Sequence, residues 1–107
     1  MRYYMVEGNI IYPDKQMLTW GAFYYHSREK AIERMDIILE DIVNWCNLQD
    51  SSLNIKAENL IRCSGNTQIA FDIKAWKNEK ELCDCDGIIT VEDVFFEDEK
   101  EYNDNSL

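Results

Sequence analysis

The sequence predicts an α+β domain, in which a single antiparallel sheet of about five strands is covered on one face by one long helix, in the chain order ββαβββ. Two observations lead to this prediction. Apolar residues between Ser27 and Asn47 recur at three- and four-residue steps, the period of a helix with one buried face. Five other stretches alternate apolar and polar residues or are rich in β-branched and aromatic side chains, which is typical of strands.

The first two predicted strands span residues 2–12 and 17–25 and form an antiparallel hairpin. Pro13 lies between them at the second position of a type I turn, where its fixed φ is suitable. Gly8 and Gly21 fall within the strands, where a bulge or a close backbone contact is the usual reason for glycine.

The predicted helix follows directly, and no proline or glycine interrupts it. Ser27 is placed to accept a hydrogen bond from an amide of the first turn, and Glu29 puts a negative charge where the helix dipole favours one. We expect the buried face to carry Ala31, Ile32, Met35, Ile38, Leu39, Ile42, Val43 and Cys46.

A second hairpin is predicted from residues 53–63 and 67–76, which alternate in polarity. Because directly opposed residues share a face, this alternation requires a three- or five-residue loop, with Gly65 or Asn66 left-handed. The residues expected to point inward are Leu53, Ile55, Ala57, Ile61, Cys63, Ile69, Phe71, Ile73 and Ala75.

The last predicted strand spans residues 87–96 and follows a charged loop at 77–86. Its apolar residues change face after Val91, so a bulge at Glu92 and Asp93 is expected. Residues 1–96 would then form one globular domain, and 97–107 an acidic C-terminal tail that frays. The sheet face away from the helix is expected to carry Tyr3, Tyr25 or Trp76 as an aromatic contact surface, and an exposed sheet edge also allows a homodimer.

The chain has 107 residues and a net charge of −10, and nearly all the excess lies in its last quarter. Such a balance disfavours direct nucleic-acid binding, which needs Lys/Arg patches, and favours a basic partner. No signal-peptide core or membrane-spanning stretch is visible, which predicts a cytoplasmic protein with reduced cysteines. Of these, Cys46 and Cys63 are expected to be buried and Cys83 and Cys85 exposed.

An acidic row on the predicted helix is the main candidate for function. Its carboxylates lie about 5 to 6 Å apart on one side of the helix and repel each other, which is a cost to the fold. Together with acids near the C-terminus they are predicted to bind a basic surface, such as that of a nucleic-acid-binding protein. The helix row consists of Glu29, Glu33, Asp36 and Glu40, and the other predicted partner-binding residues are Asp84, Asp86, Glu92 and Asp93.

Small acidic inhibitors encoded by phages and mobile elements, such as anti-restriction and anti-CRISPR proteins, present a nucleic-acid-like field of this kind. This chain is similar to them in size and charge only, with no shared motif. The similarity implies a non-enzymatic inhibitor that mimics DNA. Catalysis is not expected, since His26 is the only histidine and no glycine-rich phosphate loop is present.

A second interpretation is an accessory domain that binds a metal or small molecule through the acidic loop at 84–93. Residues 83–93 resemble part of an EF-hand calcium loop, with Asp84 and Asp86 at positions three and five, Gly87 at the turn and Asp93 at position twelve. Leu82 occupies the first ligand position and offers no oxygen, so an acidic turn before a strand is the simpler interpretation. The spacing of the cysteines and His26 matches no zinc module, and no cofactor is predicted.

Overall fold

One antiparallel sheet and one helix make up the described part of the chain. The computed structural model describes residues 2–49, 52–63 and 65–95, and the predicted tail at 97–107 lies outside them. The predicted fold class and the element order ββαβββ are confirmed. The elements are β1 (Arg2–Ile11), β2 (Met17–Tyr25), α1 (Arg28–Gln49), β3 (Asn54–Cys63), β4 (Gln68–Lys77) and β5 (Lys80–Phe95).

The strands lie in the order β2-β1-β5-β4-β3, so β5 occupies the centre of the sheet and β2 and β3 are its edges. With 16 residues, β5 is long enough to pair with β4 along its first part and with β1 along its second. The helix α1 packs on one face, which we call the inner face, and the opposite one is the outer face. Because directly opposed residues share a face, the pairing register assigns each strand residue to one of them.

The core lies between α1 and the inner face. Ser27 caps the helix as predicted, since the backbone amide of Lys30 donates to Ser27 Oγ at 3.3 Å. Ile32, Leu39 and Val43 are only partly buried at its margins. The fully or nearly fully buried residues are Val6, Ile10, Ala31, Met35, Ile38, Ile42, Cys46, Ile69, Phe71, Ile73, Cys85 and Ile89.

The two mid-strand glycines have the close contacts expected of them. A Cβ atom on Gly8 would lie 2.6 Å from Ile38 Cγ2, so the helix approaches β1 at this point because no side chain intervenes. Gly21 has a φ of +113° and faces Glu7 where the β1–β2 register shifts. The hairpin turn is also as predicted, with the amide of Lys15 donating to the Tyr12 carbonyl at 2.8 Å.

The prediction of a charged loop at 77–86 is wrong, because β5 already begins at Lys80. Asn78 and Glu79 alone connect it to β4, with φ values of 51° and 67°. A two-residue turn with both residues in the left-handed region is common in β-hairpins, because its backbone twist matches the right-handed twist of the flanking strands. Asp84 and Asp86 of this segment are exposed, and Cys85 between them, predicted to be exposed, is buried on the inner face at 4% exposure.

The register of β3 departs from the prediction at a bulge. Asn59 has a φ of 56°, and the pairing with β4 shifts between Glu58 and Ile61. Beyond the shift the faces are exchanged. Ile61, predicted to be buried, is 61% exposed on the outer face, and Cys63, predicted to point inward, is half-buried there.

The same shift changes the expected loop. Four residues, rather than three or five, separate the last pair, Cys63 and Gln68. Gly65 and Asn66 both have positive φ values, of 64° and 65°, as the left-handed prediction required.

The prediction of a bulge at Glu92 and Asp93 is wrong. The register between β1 and β5 is continuous from the pair Arg2–Phe95 to the pair Ile11–Asp86. Val94 therefore lies opposite Tyr3 on the outer face. The side chain of Cys83 lies outside the described part of the structure. Among the described residues, no helix has the length and apolar content needed to cross a membrane.

Candidate functional site

The structure separates the predicted partner-binding acids into two groups on opposite sides of the molecule. The helix row lies on α1, which covers the inner face, and all four of its residues are exposed. Asp84, Asp86 and Glu92 instead share the outer face with their partners on neighbouring strands. Asp93 lies opposite Tyr4, on the inner face, and pairs with Arg2 at 3.4 Å. One flat partner surface cannot contact both groups at once.

Part of the negative charge of the helix row is balanced by an arginine of the same protein. Asp36 forms an ion pair with Arg62 of β3, and both side chains are well exposed. Arg62 reaches the helix because the bulge at Asn59 turns it to the inner face, where it lies opposite Ile69. Strict alternation with the predicted inward residues Ile61 and Cys63 would put Arg62 on the opposite face of the strand, so the sequence does not predict this pair.

The outer face carries an acidic row that crosses three strands. Asp86 of β5 lies directly opposite Asp72 of β4, and Asp72 lies directly opposite Glu58 of β3. We call these three residues the strand row. Neighbouring strands are about 4.8 Å apart, so these carboxylates are close in space although they are distant in sequence. Like charges directly opposite each other destabilise a sheet.

Two further groups on this face show the effect of that crowding. Lys74 Nζ lies 3.5 Å from Glu81 Oε1 and 4.0 Å from Glu58 Oε2, and the Glu81 carboxylate raises the pKa of Lys74 against the opposing effect of burial. Partial loss of water and the nearby Asp72 raise the pKa of Asp84, although Lys74 opposes the shift. Negative charge on the outer face is therefore only partly balanced by lysine.

Asp72 is held in place by a residue that the sequence did not single out. Asn59 Nδ2 donates a hydrogen bond to Asp72 Oδ2 at 2.8 Å. Asn59 can do this because the bulge holds it in the left-handed region, which asparagine tolerates better than most residues. Among the described residues, neither Asp72 nor Asp86 forms an ion pair with lysine or arginine.

An apolar row runs beside the strand row. Ile88 of β5 lies opposite Ala70 of β4, which lies opposite Ile61 of β3, and we call these three residues the apolar row. Together with Ile11, Asp72 and Asp86 they line an open groove of about 420 Å³. The two rows are two residues apart along β4 and β5, or about 7 Å. The groove therefore has one apolar side and one acidic side.

The calcium-loop interpretation is wrong. Residues 82–93 lie within the extended strand β5, whereas an EF-hand loop must wrap around its ion. Asp84 and Asp86 lie on the outer face and Asp93 on the inner one, so the three side chains do not converge. Within residues 2–49, 52–63 and 65–95, no group of three or more His, Cys, Asp or Glu side chains is arranged to hold a metal ion.

The aromatic surface predicted for the outer face is met in part. Tyr3 and Trp76 lie on that face, whereas Tyr25 is opposite Tyr4 and packs against the core. His26 stacks on Tyr3 with ring centroids 4.5 Å apart, a structural contact at the end of β2.

Comparison of the chain with protein-family models, with curated proteins and with solved structures finds no match.

Proposed function

We propose that this protein binds a basic surface on a partner protein and that the outer face of its sheet makes the contact. The observation that supports this proposal is the strand row, in which Asp86, Asp72 and Glu58 are directly opposed on neighbouring strands. The proposed role is binding, without catalysis.

The reasoning starts from the cost of this arrangement. Opposed carboxylates reduce the stability of a sheet, and a threonine or a lysine in place of Asp72 would remove both repulsive pairs. Lys74 partly balances Glu58. Asn59 donates a hydrogen bond to Asp72, but among the described residues no lysine or arginine gives Asp72 or Asp86 a compensating ion pair. Places where a sequence departs from local rules without full compensation are expected at functional sites. Lysines or arginines of a partner would supply that compensation, and they would also be attracted from a distance by the net charge of −10.

Proteins that bind nucleic acid neutralise its phosphates with lysines and arginines, so their binding surfaces are basic. A protein that occupies such a surface excludes nucleic acid from it. We therefore extend the proposal to an inhibitory role, in which the acidic outer face takes the place of a phosphate backbone. The helix row is the second surface to test, and one of its four charges is already paired with Arg62.

Isosteric charge variants can separate the two surfaces. In one variant Asp72→Asn and Asp86→Asn neutralise the strand row, and in the matched control Glu33→Gln and Glu40→Gln neutralise two exposed acids of the helix row. Each tagged protein is used to capture partners from cell lysate at low and at high NaCl, because an electrostatic complex weakens as screening increases.

We expect the wild type and the helix-row control to capture the same protein at low salt and to release it at high salt. The strand-row variant should capture much less of it. The wild type and the helix-row control should both displace nucleic acid from the isolated partner, and the strand-row variant should not. If the helix-row control loses capture and the strand-row variant keeps it, the binding site lies on α1 and not on the outer face. Capture that responds to neither variant nor to salt would contradict the proposal.

A further inference from the structure

We infer that the outer-face groove binds a basic amphipathic helix of the partner, laid across β5, β4 and β3. Its lysines or arginines would meet the strand row, and its apolar residues would cover the apolar row. This inference rests on the proposed function and specifies the part of the partner that the outer face recognises.

The spacing of the two rows favours a helix over an extended segment. Both rows run across the strands, so their members follow at the strand separation of about 4.8 Å. Residues three and four apart on a helix are about 5 to 6 Å apart between their Cβ atoms, close to that separation. Side chains on one face of an extended segment repeat at about 6.6 to 6.8 Å, and such a segment loses register within three strands.

The separation between the rows also matches a helix. The acidic and apolar rows are about 7 Å apart, and a helix with its side chains is about 10 to 12 Å wide. A basic ridge and the neighbouring apolar ridge of one helix can therefore contact both rows together. Helices with one apolar face commonly bind in grooves of this kind.

The apolar side of the groove exposes apolar surface that a partner can bury. Ile61 is 61% exposed, and the groove of about 420 Å³ can accept large side chains along Ile88 and Ala70. The charge of the groove selects a basic occupant. A second copy of this chain is a poor fit, because its net charge is −10 and its own helix row is acidic.

The groove is also ordered before binding. Asn59 orients the Asp72 carboxylate through a hydrogen bond of 2.8 Å, and every row member lies on a paired strand. A site that is already in its bound geometry loses little conformational freedom when the partner arrives.

Two labelled synthetic peptides of identical lysine and leucine composition test the inference. In one, lysines and leucines follow helical spacing on adjacent ridges, and in the other they alternate strictly, as on a strand. Binding to the full chain is measured by fluorescence anisotropy. We expect the helical isomer to bind about tenfold more tightly, which corresponds to about 1.4 kcal/mol.

A matched pair of protein variants then tests the apolar row. Ile61→Thr removes apolar surface from the groove, and Ile37→Thr makes the same change on the solvent side of α1, where Ile37 is 46% exposed. We expect Ile61→Thr to weaken binding of the helical isomer about fivefold and Ile37→Thr to leave it unchanged. Circular dichroism establishes that both variants are folded.

The outcomes distinguish this inference from the proposed function. If both isomers bind equally, or if Ile61→Thr has no effect, the helix-in-groove inference is overturned. The proposed function stands in that case as long as Asp72→Asn with Asp86→Asn still weakens binding. If that double variant changes nothing, the proposed function fails as well. Dimers of the wild type that Ile61→Thr dissociates would assign the groove to self-association and overturn the inference.

Discussion

Asp72 and Asp86 lie directly opposite each other on β4 and β5, and both are on the outer face. Asp86→Asn should therefore raise the free energy of unfolding, by a few tenths to about 1 kcal/mol, because it removes one of two opposed like charges. Urea denaturation at low salt measures the gain, which should shrink at high salt as screening increases.

Asp93→Asn is the matched control for that prediction. Asp93 lies on the same strand but pairs with Arg2 at 3.4 Å, and both side chains are more than half exposed. This substitution should leave stability unchanged or lower it by up to about 1 kcal/mol. Equal gains from Asp86→Asn and Asp93→Asn would mean that net charge, rather than the opposed pair, sets the effect.

The raised pKa of Asp84 predicts a pH dependence with a definite sign. Partial loss of hydration and the nearby Asp72 raise the pKa of Asp84 and favour its protonated carboxyl in the folded state, so ionised Asp84 costs stability there. Its contribution to stability is greatest at low pH and is lost as pH rises from the pKa of the unfolded chain through the raised pKa of the folded one. Asp84→Asn should thus be more stable than the wild type at neutral pH.

That difference should vanish on acidification, as Asp84 becomes protonated in both states. Thermal melts of the wild type and of Asp84→Asn across the acidic range give the measurement. A difference that grows towards low pH would show that Asp84 is stabilised as the carboxylate, most simply by Lys74.

Gly87 lies directly against the ring of Phe71, which predicts a severe effect of a single methyl group. A Cβ atom at position 87 would overlap the ring, and Phe71 is buried at 3% exposure. Gly87→Ala should cost about 1 to 3 kcal/mol through overpacking. Phe71→Leu in the same chain should recover part of this loss, and a double variant no better than the sum of the single ones would contradict the contact.

Two consecutive isoleucines of α1 test which face of the helix is buried. Ile38 is 1% exposed and Ile37 is 46% exposed. Ile38→Ala should lower the free energy of unfolding by about 2 to 5 kcal/mol, whereas Ile37→Ala should cost much less. Leu39, which is partly buried at the margin of the core, should fall between them. Similar losses at positions 37 and 38 would reject the assigned face.

Repulsion within the helix row predicts a small gain in stability. Glu33→Gln with Glu40→Gln should stabilise the fold by a few tenths of a kcal/mol, since each removes a like-charged neighbour one turn away. Glu33→Gln with Asp36→Asn should gain less, because Asp36 also pairs with Arg62. Chemical denaturation of the two double variants at low salt compares them, and a larger gain from the second would mean that the Arg62 pair contributes nothing.

The sequence alone predicts the helix and most of the strands, because periodicity is a local property. The buried apolar residues of α1 repeat from Ala31 to Cys46, over about four turns, and this repetition leaves little choice about which face is buried. The turn at Pro13 and the left-handed Gly65 and Asn66 are likewise set by the conformations these residues prefer. The helix row, being local, was also predictable.

The first part of β5 and the end of β3 were mispredicted for related reasons. Asn78-Glu79 forms a tight hairpin turn without the glycine that usually marks one, so the charged residues after it were assigned to a loop. The bulge at Asn59 adds one residue to β3 relative to β4 without any change in composition, and it reverses the faces of Ile61, Arg62 and Cys63.

Only the tertiary structure determines which residues come together on the outer face. Glu58, Asp72 and Asp86 belong to three strands, and nothing in their spacing along the chain relates them. Pairing of β5 between β1 and β4, together with the register shift in β3, brings the three carboxylates into one row and sets the apolar row beside it. Such a surface depends on which strands are neighbours and in what register, and these are long-range properties that local patterns of polarity do not contain.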